Sequence, residues 1–220
     1  RRVLFRSIRA GALLLGIGHS ARDTFRMLRE AGVKLEVKPF SVGVRIEHLQ
    51  SEIDRALYGR FAGHPALGPA EYGLSDTTGE RGVYTFCMCP GGTVVAAASE
   101  EGGVVTNGMS YHSRDGLNAN AALAVSVLPS DVGGTVEGAV SFQRMLERAA
   151  FAAGGGDYRA PVETVGDFLS GYRGTEPSRI LPTYGGGRVT GGRSFSHFAA
   201  ADCPWPFGRY LFFRAKAAWL

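Results

Sequence analysis

Residues 84–93 read YTFCMCPGGT and place two of the chain's three cysteines two positions apart. Thiols at that spacing serve as a redox pair, as half of a metal site, as a catalytic nucleophile, or simply as small buried side chains. Zinc needs four ligands, commonly from paired C-x₂-C or Cys/His clusters. His19, His48, His64 and His112 do not stand at ligand spacing from Cys87 and Cys89, so no metal is expected. A direct disulfide is disfavoured as well. Strand residues two apart are separated by about 6.6–6.8 Å, at the far edge of bridgeable distances, and their side chains run parallel. Two readings stay open: both cysteines pack on one face of a buried strand, or one thiol stands beside a cofactor. Cys87 and Cys89 are the candidate catalytic residues on the second reading.

Two further stretches carry polar chemistry. TNGMSYHSRDGLNAN (106–120) brings Asn107, His112, Arg114 and Asn118 together with Asp115 and Asn120. It reads either as a polar wall for an anionic substrate or cofactor, or as a solvated loop that closes on itself through Asx turns. Residues 16–20, GIGHS, follow an apolar run and precede a helical pattern. The end of such a strand and the start of its helix are where α/β sheets bind anions. Gly16, Gly18, His19 and Ser20 are therefore the cofactor-binding candidates. The stretch is not a full G-x-G-x-x-G fingerprint, and a tight turn without a ligand is the competing reading.

These residues need elements to hold them. Ala12–Leu15 reads as a strand buried on both faces. Ser20 and Asp23 resemble a capping box, Ala21, Thr24, Phe25 and Leu28 recur at helical spacing, and Gly32 closes the helix. In 38–48, Phe40, Val42, Val44 and Ile46 alternate with Ser41, Gly43, Arg45 and Glu47, as in a half-buried strand. A short helix with Leu49, Ile53, Ala56 and Leu57 follows, and 59–80 reads as loop. Residues 82–106 read as a meander: GVYTFCM and TVVAAAS joined by CPGG, then a turn at EEGG before VVTNGMS. The polar stretch Thr106–Asn120 reads as a long loop, AALAVSVL (121–128) as a strand, and 137–156 and 161–171 as helices. The fold class is α/β to α+β.

Composition limits the partners. The formal charge is +4, with +3 on residues 1–7 and +4 on 185–220, which leaves −3 on 8–184. Basicity confined to the ends does not make a nucleic-acid surface. No apolar run reaches the ~18 residues of a membrane span. An odd cysteine count suggests no disulfide framework, so a reducing cytoplasm is expected. Arg1–Ser7 match one reading frame of a common sequencing-library adapter and are set aside from the fold. Residues 185–220 hold one acid and both tryptophans; they are read as a shifted frame, and His197 and Cys203 receive no role.

GIGHSARDTF, KPFSVGVRIEH with IDRALYG, residues 82–123 and FQRMLERAAFAAGGGDYRAPVETVGDFL resemble a bacterial family of FAD-dependent dehydrogenases, largely uncharacterised two-domain flavoproteins. The resemblance spans about 10–184 and is most specific over 83–120. It implies a Rossmann-like FAD domain interrupted by a substrate domain of mixed strands and helices. Residues 8–37 then resemble the last strand, glycine turn and helix of the FAD half, and 38–184 the inserted domain. The dinucleotide fingerprint and the C-terminal Gly-rich FAD segment are not in this chain. The resemblance therefore implies an internal fragment of an FAD oxidoreductase, with an unidentified small-molecule substrate, that holds FAD weakly by itself. It also implies that the CMCPGG turn and the 106–116 loop face the flavin or substrate. Two other function classes are a scaffold domain that kept the fold without the cofactor, and an RNA-binding protein resting only on the basic ends.

Overall fold

The computed structural model describes residues 7–170 and 174–190. The adapter-like residues 1–6 and the tail 191–220, with His197 and Cys203, lie outside the described residues. The chain divides into two compact units, residues 1–35 and 36–220.

Among its described residues the first unit holds one helix, α1 (Arg22–Glu30). Ala21, Thr24, Phe25 and Leu28 are its partly buried residues, the stripe expected from their spacing. The helix ends in a Schellman motif around Gly32 (φ +82°), with Val33 N donating to Leu28 O and Gly32 N to Arg29 O, both at 2.9 Å. The capping box does not form. Ala21 is the N-cap, no side chain caps the helix, and Asp23 turns instead to Thr24 N. The strand expected at Ala12–Leu15 does not form either: Leu13 and Leu14 are 81% and 96% exposed. A strand buried on both faces needs neighbours for its N–H and C=O groups, and the described residues of this unit contain no other strand.

The second unit contains, in order, β1 (Phe40–Leu49), α2 (Gln50–Tyr58), β2 (Ser75–Asp76), β3 (Val83–Thr85), β4 (Gly92–Ala96), β5 (Thr106–Ser110), β6 (Asn118–Val127), α3 (Val136–Ala153), β7 (Ala160–Pro161), α4 (Val165–Ser170) and β8 (Arg188–Val189). The main sheet runs β1-β6-β3-β2, antiparallel throughout. Phe40 faces Val127 and Leu49 faces Asn118, a ten-residue ladder. Alternation then sorts the faces. Phe40, Val42, Val44 and Ile46 join Leu123, Val125 and Val127 on one face, where Ala139, Phe142, Met145 and Leu146 of α3 cover them. The Phe40 and Phe142 rings meet edge to face at 6.3 Å. Thr135 caps α3 by accepting from Gly138 N at 3.0 Å, and Gly154 ends it.

The opposite face carries Ser41, Gly43, Arg45 and Glu47, and the β4–β5 hairpin lies toward it. The expected meander is therefore two structures. β3 belongs to the main sheet, whereas β4 pairs with β5 alone, from Gly92↔Ser110 to Ala96↔Thr106. The CPGG turn does not join a hairpin; it carries the chain from one sheet to the other. The polar stretch 106–120 is loop only over 111–117, since its first five residues are β5 and its last three begin β6. The helix expected over 161–171 begins later, at Val165, where Thr164 Oγ1 accepts from Asp167 N. Residues 188–189 pair in parallel with 160–161, so the segment after Gly185 enters the fold. Among the described residues no helix is long and apolar enough to cross a membrane.

At Gly43, β1 comes close to the backbone of β6. A Cβ there would stand 1.9 Å from Leu123 O and 2.7 Å from Ala124 Cα. Gly43→Ala is expected to lower the unfolding free energy by about 1–3 kcal/mol, read from urea denaturation midpoints.

Candidate functional site

The polar face of β1 and β6 is built around three side chains. Arg45 Nη1 donates to Asn120 Oδ1 at 2.8 Å, and Nη2 to Asn107 Oδ1 at 3.3 Å. Cys89 Sγ lies at the same place beneath Gly108. Burial lowers the Arg45 pKa, and Cys89 and Glu47 oppose that shift. Gly108 of β5 sits directly on this group: a Cβ there would lie 2.1 Å from Asn120 Oδ1, 2.4 Å from Arg45 Nη1 and 2.9 Å from Cys89 Sγ. Only glycine lets the hairpin come this close. Asn120 is fully buried, and its Nδ2 has no hydrogen-bond partner.

A second polar knot lies two residues further along β1. Glu47 Oε1 accepts from Thr183 Oγ1 at 2.5 Å and from Asn118 Nδ2 at 3.2 Å. Asn118 Nδ2 also donates to Leu181 O at 3.0 Å, and Thr183 Oγ1 accepts from Val94 N at 2.8 Å. Residues 181–183 thereby run between β1 and β4. The PGG turn is fixed from α2: Gly91 N donates to Gln50 Oε1 at 2.9 Å, and Gln50 Nε2 donates to Asp54 Oδ1 and Ala70 O. Ser110 Oγ donates to Pro90 O at 2.8 Å.

The two cysteines do not share a face. Phe86 N donates to Ala122 O, while Cys89 forms a bridge with Asn120. Cys87 and Met88 thus oppose the single residue Ala121, which is a β-bulge. The bulge turns Met88 into the core with Ala119 and Ala121, Cys89 toward the polar face, and Cys87 to solvent. The expectation of two buried thiols on one face is corrected on this ground. Strict alternation fails once an extra residue is inserted.

The other candidates are distributed. Asn107 and Asn118 spend side-chain groups inside the domain, on Arg45, Glu47 and Leu181. His112 and Arg114 lie exposed in the 111–117 loop. Gly16, Gly18, His19 and Ser20 are exposed in the first unit, where Gly18 turns with φ +76°. Among the described residues, no cluster of three or more His, Cys, Asp or Glu could hold a metal ion.

Sequence reasoning missed one buried polar element. His48 is only 7% exposed. Its Nδ1 lies 2.9 Å from Ala119 O, and since a carbonyl only accepts, Nδ1 carries the proton. Nε2 then accepts from Tyr72 O–H at 2.7 Å. Burial lowers the His48 pKa, against the pull of the Ala119 carbonyl, Glu52 and Glu47. Burial also pushes the Tyr72 hydroxyl up to about 12. The clue was present in the alternation of β1, which puts His48 on the apolar face after Ile46.

Together these features define an α+β domain whose sheet has one apolar, helix-covered face and one polar, hairpin-covered face. Residues 39–192 match the family described as FAD-dependent protein, C-terminal domain-like, and the chain belongs to that family. The match runs past Tyr184, where the resemblance was read to stop. The chain is also similar to an uncharacterized protein of Clostridium beijerinckii (strain ATCC 51743 / NCIMB 8052), 50% identical over 186 residues. That alignment covers 83% of this chain and 35% of the relative, so the chain spans about a third of that protein's length.

The lowered His48 pKa sets a pH dependence. The fold favours neutral His48, so its stabilisation is complete above the unfolded pKa of about 6.5. It is lost as pH falls from there toward the lower folded value. Thermal melts between neutral pH and pH ~5 should show this decline, and His48→Gln should flatten it.

Proposed function

We propose that this chain is the central part of an FAD-dependent oxidoreductase, with residues 38–184 acting as its substrate domain. The observation that carries this reading is the family match over residues 39–192. When bound, FAD supplies the electron-transfer chemistry, and the protein supplies binding and orientation.

The residues present fit such a group in part. Helix α1 has no side-chain cap, and Gly18 turns the chain ahead of it. Arg22 N already donates to Ser20 O and Thr24 N to Asp23 Oδ1, so the first turn offers a phosphate few free N–H groups. Asp23 in the same turn opposes an anionic group. Tight FAD binding therefore requires more than this chain. Gly16, Gly18, His19 and Ser20 are assigned the cofactor contact of the first unit. In the second unit, His112 and Arg114 are assigned the contact with substrate or flavin. Asn107 and Asn118 hold the hairpin and the 181–183 segment that support that loop.

Of the two thiols, Cys87 is the one free to act near a substrate, because it stands exposed on the bulge. Cys89 is packed beneath Gly108 with Arg45 and Asn120 and is assigned a packing role.

One experiment tests both assignments. The full-length protein that carries this chain should purify yellow, with bound flavin that bleaches when a substrate is added without oxygen. Cys87→Ser should slow that bleaching by about 100-fold or more, the lower bound for a positioned proton-transfer group. A colourless protein that takes up no added FAD contradicts the oxidoreductase reading and favours a scaffold domain. A yellow protein with unchanged bleaching in Cys87→Ser removes the thiol from the chemistry.

A further inference from the structure

The 111–117 loop contains an arginine in an unfavourable conformation. Arg114 has φ +52°, in the left-handed region where a non-glycine residue costs of order 1–2 kcal/mol. Packing beneath it holds this conformation. A Cβ on Gly91 would stand 2.2 Å from Arg114 O, and one on Gly116 would stand 2.3 Å from Gly91 O. The fold keeps an arginine where glycine would be unstrained. Among the described residues nothing accepts a hydrogen bond from its guanidinium.

Arg114 lines a cleft of about 420 Å³ between the start of α2, residues 63–69 and the turn 114–117. Asp54, His64, Leu67, Asp115 and Leu117 line it as well. Asp54 uses Oδ1 to accept from Gln50 Nε2 and Ala70 N, both at 2.8 Å, which leaves Oδ2 for a ligand. His64 Nδ1 accepts from Ala66 N at 3.2 Å, so the neutral ring presents Nε2–H. Leu67 and Leu117 are 43% and 76% exposed.

The charges select the ligand class. One guanidinium stands with two carboxylates and two exposed leucines. A simple anion would meet Arg114 but also Asp54 and Asp115. A simple cation would meet the carboxylates but also Arg114. A zwitterion with an apolar body suits Arg114, Asp54 and the two leucines, while Asp115 accepts from Ser113 Oγ at 2.6 Å, and the volume lies within the usual range for small-molecule sites. We propose that this cleft binds an α-amino acid with an apolar side chain. The carboxylate lies on Arg114, the ammonium on Asp54, and the side chain between Leu67 and Leu117. The inference rests on the reading of Arg114 as a substrate contact and names the ligand class, but it concerns binding alone, so its test is read without the flavin.

Titration calorimetry of the full-length protein tests it, with L-leucine as the probe. Isocaproate lacks the amine of leucine and isoamylamine lacks its carboxylate, so leucine should bind more tightly than either. Arg114→Gly should keep or raise the melting temperature, because glycine suits φ +52°. The same variant should weaken leucine binding by roughly tenfold or more. Leu117→Ser, at an exposed side chain, should weaken leucine binding but leave glycine binding unchanged. Three results would each overturn the proposal: no leucine binding by the natural chain, unchanged leucine binding in Arg114→Gly or Leu117→Ser, or binding of either half-molecule as tight as that of leucine.

Discussion

The second unit depends on the contact between the Arg45 guanidinium, the Asn120 amide and the bare Cα of Gly108. A guanidinium partly withdrawn from water needs acceptors, and Arg45 finds them on Asn120 and Asn107. Those acceptors sit on β6 and β5, so one arginine on β1 joins three strands from two sheets. The link is short because Gly108 has no side chain to hold the hairpin away. The Glu47–Thr183–Val94 chain repeats the device two residues further along β1. Cys89 fits between these groups as part of the packing.

This arrangement gives a physical reason for the composition of residues 83–120. Gly91 and Gly116 let the PGG turn lie against the 114–117 turn, Gly92 approaches Met109 O and Cys89, and Gly108 rests on Arg45. Asn118 and Asn120 tie β6 to the segments above it. Much of what looks like a ligand-binding loop is thus an interface between two small sheets. The exposed remainder, 111–117, is held in shape by that interface and carries the polar side chains of His112, Arg114 and Asp115.

Elements held by their own periodicity were legible. The alternation of Phe40, Val42, Val44 and Ile46 marked β1 and its buried face, and the spacing of Phe142, Met145 and Leu146 marked α3. Elements held by partners were not. Thr106–Ser110 is polar and contains glycine, so nothing local marks it as a strand; β4 and the polar face of the main sheet make it one. Ala12–Leu15 failed in the other direction, since its apolar run suits a strand but no described strand of its unit pairs with it. At the site, His112 and Arg114 were legible as loop chemistry. The parts played by Arg45, Glu47 and Asn120 were not, because each depends on a residue more than sixty positions away. The bulge at Cys87 and Met88 was hidden because it exists only against β6, more than thirty positions away.

The close seat of Gly108 on Arg45, Asn120 and Cys89 is tested most directly by comparing two glycine substitutions in chemical denaturation. Gly68 has nothing within 4 Å of where its Cβ would stand, so Gly68→Ala serves as the open-space control. If the hairpin rests on the polar knot as described, Gly108→Ala unfolds at a clearly lower denaturant concentration, with a loss of about 1–3 kcal/mol relative to Gly68→Ala. Equal midpoints for the two variants would contradict the account.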